Sequence, residues 1–133
     1  MTLALSTTLP TDFADAVQRT RKALSDQGFG VLTEIDVTAT MHAKLGAEME
    51  DYLILGACNP PLAHAALAVD RQIGLLLPCN VVVRADSSRP GTVIVEAMNP
   101  ELMVQVAGDP ALREVADAAT AKLRAAIAAL TVA

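Results

Sequence analysis

A chain of 133 residues is near the commonest length for one domain, and folding at this size buries roughly two thirds of the surface an unfolded chain exposes, so one core over residues 1–133 is expected. That core is aliphatic: 53% of the residues are hydrophobic, but the aromatics are only Phe13, Phe29 and Tyr52, too few for a base-stacking platform. Ten basic against fifteen acidic residues give a net charge of −5, without the dense cationic face a nucleic acid requires, and no apolar run reaches the roughly 18 residues of a membrane span.

The stretch from Met1 to Pro10 has no positive region and only the short apolar run Leu3-Ala4-Leu5, so it does not read as a secretory signal. Leu3 to Leu9 suits a short strand. Thr11 is then placed to cap a helix whose stripe is Phe13, Val17, Thr20 and Leu24, closed by Gly28. From Phe29 to Val37 the period changes to two, which predicts a strand with Phe29, Val31, Thr33, Ile35 and Val37 on its buried face and Glu34 and Asp36 in water. Thr38 is the expected cap of a second helix carrying Met41, Leu45 and Met49.

Tyr52 to Cys58 is an apolar run suited to a buried strand. Asn59-Pro60-Pro61 ends it and opens a helix with Asn59 as N-cap and Leu62, Ala65, Ala66 and Val69 as its packed stripe. Ile73 to Leu77 reads as a further buried strand running into Pro78-Cys79-Asn80, where a bulge or sheet edge is expected because proline donates no ladder hydrogen bond. Val81–Ala85 and Thr92–Ala97 flank the polar turn Asp86–Gly91 as a hairpin, and Leu112, Val115, Ala119, Leu123, Ile127 and Leu130 mark a final helix. The sum is an α+β fold: a single twisted mixed sheet of about five or six strands covered by helices in a two-layer sandwich.

Three strings, Gly28-Phe-Gly-Val-Leu-Thr-Glu-Ile-Asp36, Ile54-Leu-Gly-Ala-Cys-Asn-Pro-Pro61 and Ile73-Gly-Leu-Leu-Leu-Pro-Cys-Asn-Val81, occur in this order over nearly the whole chain. Together they resemble the domain of unknown function 302 family, a prokaryotic group of small stand-alone α+β proteins. The resemblance implies a compact sheet covered by helices, commonly packed as a homodimer, and it brings no assigned activity or catalytic residue.

The candidate site is the repeated Cys-Asn pair, Cys58-Asn59 and Cys79-Asn80. If their strands are parallel neighbours, both thiols sit at carboxyl ends, and Cys58 lies by a helix N-terminus that favours an anion or thiolate. If the strands run as an antiparallel meander, the thiols are expected at opposite ends and the cysteines simply fill core space. His64, on the helix after Asn59, is a third possible ligand to a soft metal, though three donors fall short of a closed zinc site and the spacing is not Cys-x-x-Cys.

Three functions follow. The first is a non-catalytic accessory module, a homodimer holding a small ligand or a protein partner, with Cys58, Asn59, Cys79 and Asn80 as ligand-binding residues. The second is a thiol- or metal-dependent redox or sensor protein using Cys58 and Cys79 with His64, for which haem or copper are plausible guests. The third and weakest is an enzyme using Glu34 and Asp36, which a solvated strand face explains as well. Two free thiols and no signal fit a reducing cytoplasm.

Overall fold

The computed structural model describes residues 2–131. Five strands, β1 (Ala4–Leu9), β2 (Gly30–Asp36), β3 (Tyr52–Cys58), β4 (Cys79–Ala85) and β5 (Val93–Met98), form one open sheet in the order β1-β5-β4-β3-β2. Every pairing is antiparallel, where the sequence reading expects a mixed sheet. A parallel crossover carries the chain back along the sheet to the end where the strand began. Here the connection from Cys58 to Cys79 returns the chain to the end it left, so β4 runs against β3.

Five helices accompany the sheet: α1 (Phe13–Asp26), α2 (Val37–Leu45), α3 (Pro60–Val69), α4 (Glu101–Ala107) and α5 (Arg113–Leu130). α1 and α5 cover one face, onto which the alternating positions Leu53, Leu55, Val81, Val83, Val93 and Val95 project and are buried with Leu24 and Leu123. The opposite face carries Ser6, Thr8, Asn80, Val82, Arg84 and Glu96, with an Arg84 Nε to Glu96 Oε1 bond of 2.7 Å across the β4–β5 hairpin. A second, smaller cluster of Ala66, Ile73, Met103 and Leu112 joins α3 and α4 at one end of the sheet.

Local chemistry explains most of the boundaries. Asp12, one residue after the expected Thr11, caps α1 by accepting from the Asp15 N–H at 2.8 Å. The helix ends in a Schellman arrangement, with Gly28 at φ +83° and the Phe29 N–H donating to the Leu24 carbonyl at 2.9 Å. Asp36, not Thr38, caps α2 through the Ala39 N–H at 2.9 Å, and Thr38 instead bridges the Glu50 carbonyl and the Tyr52 N–H.

Two expected strands differ. In β2 the register passes from Val31 opposite Ala57 to Thr33 opposite Gly56, leaving Leu32 as an unpaired bulge residue that is 68% exposed. The bulge reverses the alternation, so Thr33 and Ile35 turn to the open face and β2 buries none of its residues. The run Ile73–Leu77 is not a strand: its first four residues belong to a 3-10 helix over Arg71–Leu76, and Leu77 follows it in extended conformation. Asp70 accepts from the Gln72 N–H at 2.9 Å, and the Ile73 N–H donates to the Asp70 carbonyl at 3.1 Å, so tight i→i+3 turns replace a ladder. Pro78 precedes β4, whose pairings with β3 and β5 are both regular, so no bulge forms there.

Candidate functional site

The chain leaves the sheet at Cys58, folds through α3 and the 3-10 helix, and re-enters at Cys79. Because neighbouring strands run antiparallel, the end of β3 lies beside the start of β4: Ala57 pairs with Cys79. This corrects the expectation that a meander would place the two cysteines at opposite ends. An antiparallel hairpin connection brings the last residue of one strand next to the first of the other, so both thiols reach the same end of the sheet.

A cavity of about 350 Å³ opens at that end, between the two hydrophobic clusters. Its floor is the strand end, with Ala57, Cys58 and Cys79; its roof is the α3 face carrying Leu62, Ala63, Ala66 and Leu67; and Met103, Val115 and Ala119 close the far side. Alanines account for much of the space. Four of the lining positions, Ala57, Ala63, Ala66 and Ala119, carry one carbon where a leucine would reach in and fill the gap.

The two Cys-Asn pairs divide into unlike halves. Asn59 is 8% exposed and works at both ends of its amide: its Oδ1 accepts from the Leu62 N–H at 3.4 Å, capping α3, and its Nδ2 donates to the Gln27 carbonyl at 3.3 Å, tying α3 to the end of α1. Asn80 is exposed on the open face of the sheet, away from the cavity lining. Cys79 is buried, and loss of solvent raises its thiol pKa to about 11, with the neighbouring Cys58 charge adding to the rise. Cys58 is half-buried and also borders the cavity, and both thiols are free.

His64 lies on the exposed side of α3, off the stripe of Leu62, Ala63, Ala66 and Leu67, so it does not join the thiols. Among the described residues no three His, Cys, Asp or Glu side chains gather where they would share a metal ion. Glu34 and Asp36 have structural partners, Glu34 pairing with Arg21 of α1 and Asp36 capping α2. Of the four Cys-Asn residues, Cys58, Asn59 and Cys79 border this cavity and Asn80 does not. The sequence places Ala66 and Ala119 on packed stripes, whereas in the structure they, with Ala63, line the cavity; the signal is small residues at helical spacing on core-facing stripes.

Among the described residues no helix is long and apolar enough to cross a membrane. No curated protein matches the chain in sequence. A crystal structure of an uncharacterized conserved protein DUF302 from Bacillus stearothermophilus is similar over 98% of this chain and 99% of that one, with a TM-score of 0.88 and 28% identity. Residues 5–130 match the family described as "Domain of unknown function DUF302", with the five-stranded α+β fold and the strand-end cysteines inside the matched span, and the chain belongs to that family.

Proposed function

We propose that the protein is a non-catalytic binding module, acting as a homodimer in the cytoplasm, that holds a small apolar ligand in the cavity beneath α3. The cavity itself carries this reading. Protein interiors are close-packed, and a preformed space of about 350 Å³ with an aliphatic lining falls at the lower end of the range of ligand pockets. Cys58, Asn59 and Cys79 serve in its wall, and Asn80 has no part in it. Dimerisation is supported by β2 and α2, which bury no residue within one chain and leave Ile35, Met41 and Leu45 exposed. Two free thiols fit a reducing compartment.

Titration with N-phenyl-1-naphthylamine, an uncharged fluorescent apolar probe, tests the reading. Saturable binding to the native protein is expected, weakened at least tenfold by Ala119→Leu, which fills the cavity from α5. A probe that fails to bind, or binds both proteins alike, ends it.

That both cysteines border one cavity favours a second reading, a thiol-dependent redox or sensor protein. Two cysteines inert to a thiol reagent in the native state would remove it. Its metal form, with copper or haem, needs donors beyond this chain's thiol pair, and elemental analysis after metal-replete expression decides it.

A further inference from the structure

Next to the apolar cavity lies a second space of about 460 Å³ of different character, bordered by Asp26, Gln27, Asn59, Leu62 and Lys122. The two share the wall formed by Asn59 and Leu62. On α5 the lining passes from Val115 and Ala119 in the cavity to Lys122 in the cleft, at spacings of four and three residues, which is one continuous helical face. α3 runs beside it, with Ala66 over the cavity and Leu62 at the boundary. The same two helices therefore bound both spaces, and within one turn the α5 lining changes from aliphatic to Lys122.

Lys122 is half-buried, and among the described residues it has no carboxylate partner. The cleft's own acid, Asp26, is engaged by Lys22 at 3.0 Å on the α1 surface. Asn59 has its amide committed to the Leu62 N–H and the Gln27 carbonyl, so it shapes the wall and does not compete for an anion. An ammonium beside an apolar cavity is matched by a compact anion attached to a hydrocarbon.

We infer that the ligand is a single-chain amphiphile of the fatty-acid type, its carboxylate at Lys122 in the cleft and its hydrocarbon tail passing Leu62 into the cavity under α3. This rests on the cavity-binding reading and adds the head group to it. A single lysine is a point charge, matched to a monoanionic carboxylate; a phosphate or sulfate head would call for the several fixed donors of an arginine fork. The modest cavity volume selects a short or medium chain over a long one.

The test compares decanoate with 1-decanol as displacers of N-phenyl-1-naphthylamine from the full chain at neutral pH. Native protein is expected to release the probe to both. Lys122→Gln, which keeps the helix propensity of the position, should weaken decanoate at least tenfold and leave 1-decanol unchanged, and Lys122→Arg should retain decanoate binding. An unchanged decanoate affinity in Lys122→Gln, or equal loss of both ligands, overturns the head-group assignment while leaving the cavity reading intact. Failure of both ligands to displace the probe overturns the amphiphile, and failure of the probe itself to bind overturns the two readings together.

Discussion

At Cys79, burial has a thermodynamic consequence that can be read against pH. Its thiol is raised from 9.0 to about 11, chiefly because the thiolate would be desolvated. Below about pH 9 the proton is bound in both folded and unfolded chains, and Cys79 has no effect on the pH dependence. Between pH 9 and about 11 the unfolded chain releases the proton and the folded one keeps it, so stability falls as pH rises, with a limiting slope of about 1.4 kcal/mol per unit. Urea denaturation across that window should show the decline, and Cys79→Ala should flatten it. Gly56 makes a separate residue-scale prediction. A Cβ there would collide with the Thr33 hydroxyl and stand 2.9 Å from Pro78 Cγ, so Gly56→Ala is expected to cost about 1–3 kcal/mol by denaturation, with part regained in the double variant carrying Thr33→Ala.

Among the elements, α3 depends most visibly on one side chain. Asn59 caps it, Pro60 supplies the preset first turn, and the bond to the Gln27 carbonyl fixes the helix to α1. Asn59→Ala should lose about 1–2 kcal/mol, whereas Asn80→Ala, at an exposed position, should stay within about 0.5 kcal/mol; paired denaturation curves check the contrast. The caps at Gly28 and Asn59, the α5 stripe and the β4–β5 hairpin were legible in sequence because each is decided by residues within a turn of one another, whereas the N-caps expected at Thr11 and Thr38 fall instead to Asp12 and Asp36. The bulge at Leu32 and the 3-10 helix were not legible. Short apolar runs such as Ile73–Leu77 fit a strand or a turn of helix equally by period, and only the site of burial separates them: Ile73 is buried while Leu75 is 85% exposed.

For the whole molecule, the uncovered flank of β2 and α2 gives the sharpest expectation. Sedimentation should find the native protein at twice its monomer mass, and Ile35→Glu together with Leu45→Glu should produce a monomer with an unchanged far-ultraviolet spectrum, since neither side chain is buried within one chain. A monomeric native protein at micromolar concentration would remove the homodimer. The antiparallel order β1-β5-β4-β3-β2 also places the cavity where it is, at the seam between the sheet core and the α3–α4 cluster, with α5 spanning both.

The sequence by itself determined the α+β class, the helix caps at Gly28 and Asn59, the hairpin around Asp86–Gly91 and the resemblance carried by the Cys-Asn strings, because these depend on propensity, period and short-range hydrogen bonding. Tertiary structure alone decided the direction of β4 against β3. Strand direction depends on whether the Cys58–Cys79 connection crosses the sheet or returns, and the segment's length permits both. With Cys79 starting β4 instead of following a strand over Ile73–Leu77, that direction brought the two cysteines to one end of the sheet, and it left the small side chains of α3 and α5 facing an open space whose emptiness no single segment of the chain encodes.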